Sequence, residues 1–397
     1  MAVTDHDEIS YDPYDVEVNA DPYEVFRRLR TEQPLYYNAE HDFWAVSRFD
    51  DVEWVLKDHE TFSSAKGNIL ELIRSDIELP SGTVIMEDPP SHTIHRKLMA
   101  RMFTPRKVAA LEPKIRELCA QCLDPLAGAS GFDLIAELAA VMPMRVIGML
   151  IGIPEEDQEA IRAQSDANLR TEAGQPMEAK ADMGNEKFVE YLDWRRDHPS
   201  DDIMTALMNA EFEAEDGSVR TLTRDELVIY LSVVAGAGNE TTTKLIGWMG
   251  KLLSDHPDQR RRVAGDLDAV PAVVEETLRY EPASRQVARY VTRDVEIHGQ
   301  VVPAGSAILA LVGAANRDET RWDDPGRFDA FRPSVPHIAF GHGIHFCLGA
   351  SLARIEGRIA LEELLRRFPD WEVDEAGVRM AQTSTVRGHD ALPLRIP

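Results

Sequence analysis

Cys347 lies in a glycine-rich loop that leads into an amphipathic stretch near the C-terminus. The run reads Phe340-Gly341-His342-Gly343-Ile344-His345-Phe346-Cys347-Leu348-Gly349-Ala350. A thiolate is the metal-binding form of cysteine, and the unpaired N–H groups of a helix N-terminus stabilise its negative charge. Glycines at positions 341, 343 and 349 permit positive φ and let backbone amides approach the sulfur. The pattern predicts a cysteine that ligates a metal, and iron is the expected ion.

Two other interpretations of this loop compete with an iron ligand. A lone cysteine is often a small buried hydrophobic residue. Four side chains in this region also suit zinc: His337, His342, His345 and Cys347. A separate Cys119-Ala-Gln-Cys122 has the spacing of a redox pair, but it falls in the helical stretch 112–123 without a βαβ setting. We interpret that pair as structural.

A second unusual run lies inside the longest predicted helix, which spans residues 223–253. Thr223 and Glu226 form a capping box at its start, and its middle reads Ala235-Gly236-Ala237-Gly238-Asn239-Glu240-Thr241-Thr242-Thr243. Each glycine costs a helix about 1 kcal/mol relative to alanine, and consecutive threonines bond back to carbonyls. The run therefore predicts a local distortion, a close approach by a flat ligand, or a kink made for packing.

Together these runs resemble the soluble bacterial members of the cytochrome P450 family. The cysteine loop matches the family pattern Phe-Gly-x-Gly-x-His/Arg-x-Cys-x-Gly at every position. The helix run is similar to Ala-Gly-x-Asp/Glu-Thr-Thr, with Asn239 in place of a frequent histidine. A Glu-x-x-Arg pair follows at Glu276 and Arg279. The resemblance extends from about residue 20 to the tail and implies a mainly α fold with a small antiparallel β part.

The resemblance implies haem b, with Cys347 as the axial ligand of its iron. It also implies that Phe340, Gly341, Gly349 and Ala237 lie against the haem. The residues that match the family's propionate ligands are His92, Arg96, Arg289 and His345.

The resemblance also assigns roles to an acid, an alcohol and a structural triad. Thr241 is the alcohol that holds hydrogen-bonded water near the distal oxygen, and Glu240 is the acid that relays protons from solvent. Glu276 and Arg279, with Arg327 as third partner, hold the loop that presents the cysteine.

The implied activity is a monooxygenase that inserts one oxygen atom of O2 into a substrate C–H bond. The chain has no segment for flavin or an iron–sulfur cluster, so electrons must come from NAD(P)H through partner proteins. A ferredoxin is the expected donor, because ferredoxins are acidic and residues 91–110 contain five cations and no acid: Arg96, Lys97, Arg101, Arg106 and Lys107. Alternatives are a haem-thiolate sensor or binding protein, a peroxide-dependent enzyme, or an isomerase on the same scaffold.

The expected elements agree with a helix-rich fold. Periodicity predicts helices at 21–31 and 50–57, strands at 35–37 and 43–47, a long loop at 60–91, and mainly helix from 93 to about 267. A helix from near Pro271 must end before Pro282, and antiparallel strands follow at 289–297 and 301–311.

Composition indicates one catalytic domain over residues 1–397, with a loosely ordered acidic N-terminus at 1–20. No apolar run is long enough to span a bilayer, and a net charge of −26 disfavours nucleic acid or an anionic membrane as partner. Three cysteines provide no disulfide framework, which fits a cytoplasmic enzyme, and we expect a monomer.

The substrate pocket is expected to be apolar and to accept a neutral steroid, terpenoid or fatty-acid-like molecule. Residues 166–187 are polar and interrupted by glycine, which suggests a mobile lid. The expected lining residues are Ile85, Val233, Val234, Ala237, Val287 and Thr383.

Overall fold

The fold is dominated by helices. The structure is a computed structural model, and it describes residues 9–179, 186–333, 335–383 and 385–397. The α-helices of the described residues are α1 Val16–Ala20, α2 Tyr23–Glu32, α3 Phe49–Lys57, α4 Leu70–Ile73, α5 Ser91–Ala100, α6 Pro105–Ala109, α7 Glu112–Leu123, α8 Val141–Ile151, α9 Glu155–Leu169, α10 Glu186–Asp197, α11 Ile203–Met208, α12 Arg224–Asp255, α13 Pro257–Gly265, α14 Val270–Tyr280, α15 Val312–Ala315 and α16 Ala350–Arg367. Short 3-10 turns lie at Val84–Met86 and Gly343–His345, and a π-helical turn lies at Ile135–Ala139.

The strands are short. They are β1 Leu35–Asn38, β2 Phe43–Val46, β3 Phe62–Ser63, β4 Gly131–Asp133, β5 Phe212–Glu213, β6 Val219–Arg220, β7 Val287–Val291, β8 Val295–Ile297, β9 Gln300–Val302, β10 Ala307–Ala310, β11 Glu372–Val373, β12 Arg379–Met380, β13 His389–Ala391 and β14 Pro393–Arg395.

The central helix α12 confirms the prediction made from its capping box. The Thr223 side chain accepts from the Glu226 N–H, and the Glu226 carboxylate accepts from the Thr223 N–H at 2.8 Å. The helix continues through both glycines without a break. Gly238 allows helix α8 to approach, because a Cβ there would lie 2.9 Å from the Cδ1 of Ile147. Close packing of α8 therefore accounts for that glycine.

The largest apolar cluster packs α7, α8, α14 and α16 around α12. Helix α14 shows how its sequence produces this arrangement. Its buried positions Val270, Val273, Val274, Thr277 and Leu278 recur at the spacing of one helix face. This face directs α14 into the core and fixes Glu276 and Arg279 on the same short helix.

The β part is small and mainly antiparallel, as predicted, and the main sheet contains one parallel strand pair. Its strand order is β1-β2-β10-β7-β3, and β2 pairs with β10 in parallel while the other pairs are antiparallel. Strands β2 and β10 are separated by most of the helices, so no tight hairpin constrains their relative direction.

Two segments are more ordered than the sequence predicts. Residues 1–8 lie outside the described residues. In the part that follows, Tyr11 and Tyr14 are buried, and residues 16–20 form α1 without burying a side chain. The predicted loop 60–91 contains β3, α4 and the turn Val84–Met86. Both segments contribute apolar side chains to the core, which the loss of periodicity in their sequences does not reveal.

The predicted lid at 166–187 falls partly on residues 180–185, which lie outside the described residues. Its described part contains the end of α9, an irregular stretch to residue 179, and the start of α10. Among the described residues, no single helix is long and apolar enough to cross a membrane. One sharply bent pair, Ile135–Ile151 with Glu155–Ala167, reaches that length and apolarity only when both parts are counted together.

Candidate active site

The cysteine loop is held in place by backbone hydrogen bonds. The N–H of Cys347 donates to the Phe340 carbonyl at 2.9 Å, and the N–H of Gly341 donates to Ile338 at the same distance. The loop ends at Gly349, from which α16 begins. Cys347 is exposed, and it stands two residues before the N-cap of that helix. The predicted position at a helix N-terminus is confirmed.

Two of the three loop glycines have the conformation that the sequence predicts. Gly341 and Gly343 adopt φ of 71° and 70°, which L residues rarely adopt. Gly343 also has no room for a side chain, because a Cβ would lie 2.7 Å from the carbonyl oxygen of Leu56. Gly349 has a φ of −84° and does not use the positive φ that glycine permits.

Opposing influences act on the Cys347 thiol. Surrounding protein atoms desolvate the sulfur and raise its pKa, although the side chain keeps an accessible face. The backbone N–H groups of Gly349 and Ala350 donate to the sulfur, and with the cations Arg96 and Arg354 they lower the pKa. The N–H groups that the sequence predicts to approach the thiolate are therefore present.

The zinc alternative is not supported, because two of its histidines pair elsewhere. His337 lies 3.2 Å from Glu275, and His342 lies 3.3 Å from Glu53. Within the part of the chain that the structure describes, no three His, Cys, Asp or Glu side chains are placed to hold a metal ion. Cys119 and Cys122 are buried in the core on α7, and burial raises the pKa of both thiols.

Four residues from distant elements supply cationic or polar groups. His92 on α5 and His345 in the cysteine loop meet with ring centroids 4.5 Å apart. Both ring nitrogens of His92 and the Nε2 of His345 are buried without a partner among the described residues. Arg289 on β7 is also buried and forms no ion pair with a described carboxylate, and burial lowers its pKa to about 10. Arg96 donates to the Phe346 carbonyl beside the cysteine.

The acid and the alcohol of α12 face different surroundings. The Thr241 hydroxyl donates to the Ala237 carbonyl at 2.9 Å, and Thr241 is only half-buried. Glu240 is buried, and its Oε2 has no partner among the residues that the structure describes. Burial raises its pKa to about 7, although Lys244 acts in the opposite direction. A carboxyl with this pKa exchanges protons near neutral pH, as a general acid must.

One stripe of α12 remains open on a helix that is otherwise mostly buried. Val233, Ala237 and Thr241 recur every four residues and are half-buried or exposed. Val234 is buried in the apolar cluster with Leu227 and Leu231. Ile85 is exposed and Val287 is half-buried. Thr383 lies instead at a polar cavity beside Glu240.

Glu276 and Arg279 form a buried pair, with Arg279 Nε 2.7 Å from the carboxylate. Arg279 also donates to the carbonyls of Asn316 and Pro325. The predicted third partner Arg327 is wrong, because its side chain is 64% exposed and pairs with Asp329. Arg332 takes that place at 3.1 Å from Glu276. The chain path around Asp324, which has positive φ, turns Arg327 outward and Arg332 inward.

Comparisons with known proteins agree with this geometry. A family model described as Cytochrome P450 matches residues 168–387, which is more than half of the chain. Cytochrome P450 107B1 of Saccharopolyspora erythraea is 37% identical over 389 residues, covering 94% of this chain and 92% of that protein. The chain belongs to the cytochrome P450 family.

Further relatives of this P450 extend the agreement to activity and to fold. Cytochrome P450 monooxygenase PikC of Streptomyces venezuelae is 36% identical over 385 residues, covering 95% of this chain and 91% of PikC. The solved structure of cytochrome P450 CYP109Q5 from Chondromyces apiculatus superposes with a TM-score of 0.85 and 35% identity, covering 98% of each chain. This protein is therefore a haem-thiolate monooxygenase with the P450 fold.

The residues present fit the haem that the family implies. A buried cation without a carboxylate and buried imidazoles without partners suit the two propionates of that group. An accessible thiol that receives backbone N–H groups suits an iron ligand.

Three residues of the site were not found from the sequence. Lys244 is one helical turn from Glu240, so the i,i+4 spacing was a signal that could have identified it. Asp390 lies 146 residues further along the chain from Lys244, and no local pattern connects the two. Arg332 could not be distinguished from Arg327 without the path of the loop.

Proposed function

We propose that this P450 hydroxylates a C–H bond of a small hydrophobic substrate, using O2 and electrons from a ferredoxin and its NAD(P)H-dependent reductase. The observation that carries the proposal is the open stripe Val233, Ala237 and Thr241 beside the buried acid Glu240. Apolar side chains there can bind an apolar substrate, while an alcohol and an acid that titrates near pH 7 are available for protons.

Haem binding is assigned to residues on α5, β7, α12 and the cysteine loop. Cys347 would be the axial ligand, and His92, Arg96, Arg289 and His345 would hold the propionates. Phe340, Gly341, Gly349 and Ala237 would lie against the ring. A thiolate-ligated haem, when bound, supplies the O2-activating chemistry. The protein would bind this group, hold the thiolate at the position of an iron ligand and exclude water from the pocket.

Glu240 and Thr241 divide the handling of protons. Thr241 holds an ordered water through its hydroxyl oxygen, which can accept from that water while the hydroxyl donates to the Ala237 carbonyl. Glu240 takes a proton from solvent on its polar side and passes it toward that water. Without either group, electrons are expected to end in peroxide or water rather than in product.

The substrate is proposed to be neutral, with steroid, terpenoid and fatty-acid-like molecules in that order of preference. The proposed lining residues are Ile85, Val233, Ala237 and Val287, and none of them carries a charge that would anchor a carboxylate. Residues 166–187 are proposed to act as the lid. We also propose that the 397 residues act as one catalytic domain, as a cytoplasmic monomer.

Electron delivery is assigned to a basic surface formed by Arg96, Lys97, Arg101, Arg106 and Lys107. These residues lie on α5, on α6 and between them, and none forms an ion pair with a described carboxylate. The chain as a whole has a net charge of −26, but these unpaired cations form a local positive surface that attracts an acidic partner. Phe346, 43% exposed, lies next to Arg96 and adds an apolar contact.

The test of the reaction begins with spin-state shifts for a panel of neutral steroids, terpenoids and fatty acids. A substrate that shifts the spectrum is then turned over with ferredoxin, reductase, NAD(P)H and isotope-labelled O2. We expect one labelled oxygen atom in each product molecule. Thr241→Ala should lower product and raise peroxide, and Thr241→Ser should restore coupling. Turnover without O2 or an electron donor would show an isomerase instead.

The test of the docking surface compares neutralised cations at two places. Lys97→Gln with Arg101→Gln should slow reduction by ferredoxin several-fold at low salt, with the difference vanishing at high salt. Arg379→Gln, on exposed strand β12, removes the same kind of charge elsewhere and should have no effect. An equal loss in both variants would contradict the assignment.

A further inference from the structure

Lys244 is a buried cation one helical turn beyond the proposed catalytic acid. It is 3% exposed, and its Nζ lies 3.9 Å from the Oε1 of Glu240. The same Nζ donates to the Asp390 carboxylate and to the His389 carbonyl, each at 3.3 Å. Gly388 makes room for it, because a Cβ there would lie 2.8 Å from the Cβ and Cδ of Lys244. The C-terminal tail therefore fixes the direction of this side chain.

A line of charged groups leads from the surface to the acid. Arg170, just after α9, is 59% exposed and lies 3.3 Å from Asp390. Asp390 is 23% exposed and contacts Lys244, which is 4% exposed at its side chain and faces Glu240. Alternating charges along this line hold each other in place from solvent to Glu240.

A polar cavity of about 50 Å³ lies beside this line. This volume exceeds the ~10–15 Å³ that a single water needs on the same measure, so the cavity can hold water. Glu240 lines this cavity, and its Oε2 is buried without a partner in the described part of the chain. The lining residues include Arg162, Asp166, Arg170, Glu240, Lys244, Thr383 and Asp390. Of the residues of α12, Glu240 and Lys244 line the cavity, whereas Val233, Ala237 and Thr241 of the open stripe do not.

We propose that Lys244, clamped by Asp390, is a positioning residue that holds the Glu240 carboxylate toward this cavity and sets the pH at which it takes up a proton. This inference rests on the proposed function for the role of Glu240 in turnover, but the electrostatic arrangement itself does not. Protons enter through the waters of the cavity. The ammonium of Lys244 keeps its own protons and acts through its charge.

Each charged group near Glu240 favours either the ionised or the protonated form of its carboxyl group. On α12, Lys244 favours the ionised carboxylate. From β13, Asp390 favours the protonated form, and from α9, Asp166 does the same. Arg170 favours the ionised form, and Arg162 pairs with Asp166 at 3.1 Å. His389 is buried with a pKa lowered to about 3 by burial, so its ring stays neutral in the range of interest.

The experiment is an infrared titration of the purified resting enzyme. The band of the protonated Glu240 carboxyl is identified as the one that disappears in Glu240→Gln. Lys244→Met keeps the volume and removes the cation, so it should raise the titration midpoint by roughly one pH unit or more. Asp390→Asn removes the anion and should lower the midpoint. Lys251→Met, on the same helix and paired with Asp255 and Glu375, should leave it unchanged.

Opposite shifts in the two variants support the inference, whereas unchanged midpoints or shifts in the same direction overturn it. If Lys244→Met does not fold, the Asp390→Asn shift decides alone. The fraction of electrons that reach product is then measured as a function of pH. The pH at which this fraction falls should shift in each variant in the same direction as the infrared midpoint. Opposite infrared shifts in an enzyme that forms no hydroxylated product would leave the positioning intact and contradict the proposed function alone.

Discussion

Glu240 is a carboxyl group that the folded chain keeps in a poorly solvated place. Burial raises its pKa from the ordinary value of 4.5 to about 7, with Lys244 opposing the shift. A folded state that binds this proton more tightly than the unfolded state loses stability as pH rises between these two values. The acid therefore has a thermodynamic signature that does not depend on turnover.

Glu240→Gln is predicted to become more stable relative to the parent protein as pH rises from 5 to 8. Between pH 4.5 and about pH 7 the carboxyl is ionised in the unfolded parent but protonated in the folded one, which lowers the parent's stability. The amide does not titrate, so the difference in unfolding free energy should grow by up to ~3 kcal/mol. Urea unfolding at four pH values measures it. Glu155→Gln, at an exposed position of α9, should show a constant difference. If the difference in unfolding free energy between Glu240→Gln and the parent also stayed constant with pH, the pKa of Glu240 would not be raised in the folded parent.

At the scale of elements, the cysteine loop is anchored to the end of α3. Gly343 has positive φ, and its Cα approaches the Leu56 carbonyl so closely that no Cβ fits. The loop, and with it the Cys347 sulfur, is positioned by this contact as well as by its own hydrogen bonds.

Gly343→Ala is predicted to destabilise the protein by about 1–3 kcal/mol, since the backbone must leave its conformation or push Leu56 away. The carbon monoxide difference spectrum of the reduced protein should show part of the thiolate-ligated signal lost. Gly265→Ala is the matched control, because the end of α13 has ordinary φ and open space around it. That variant should be neutral or up to ~1 kcal/mol more stable. Equal behaviour of the two variants would contradict the anchoring.

The ion cluster of α14 allows a direct comparison of two arginines five residues apart. Arg332→Met is predicted to cost about 3–5 kcal/mol, because it leaves Glu276 with less charge compensation and frees the carbonyls of Asp323 and Asp324. Arg327→Met removes only an exposed pair and should change stability by less than ~0.5 kcal/mol. Thermal and urea unfolding measure both. The reverse order would restore Arg327 as the third partner.

The sequence predicted those elements whose signals are local. The capping box located α12. The Glu240-Thr241 pair in that helix and the glycines around Cys347 identified the family and the candidate site. Pairings between distant segments could not be read in this way. The parallel contact of β2 with β10, the choice of Arg332 over Arg327 and the clamp of Asp390 on Lys244 each depend on the path of the chain between partners.

On the scale of the whole molecule, a buried charge cluster joins the N-terminal segment, α14 and the tail. Glu281 accepts from the Tyr23 hydroxyl at 2.7 Å, lies 3.2 Å from Arg317 and pairs with Arg387. Arg317 is stacked against Tyr23, with its guanidinium carbon 3.2 Å from the ring centroid. Arg387 also donates to the Asn19 carbonyl at 2.9 Å. One carboxylate thus compensates two buried cations that come from different parts of the chain.

Glu281→Gln is predicted to lower the free energy of unfolding by about 3–5 kcal/mol, since two guanidinium groups would remain buried without a carboxylate between them. Because the cluster fixes residues 19–23, limited proteolysis should cut near the N-terminus faster in this variant. Glu24→Gln, next to Tyr23 on α2, breaks only an exposed pair with Arg27 and should change stability by less than ~0.5 kcal/mol. A loss below ~1 kcal/mol in Glu281→Gln, with unchanged proteolysis, would mean that apolar contacts of Tyr11 and Phe26 hold the N-terminal segment instead.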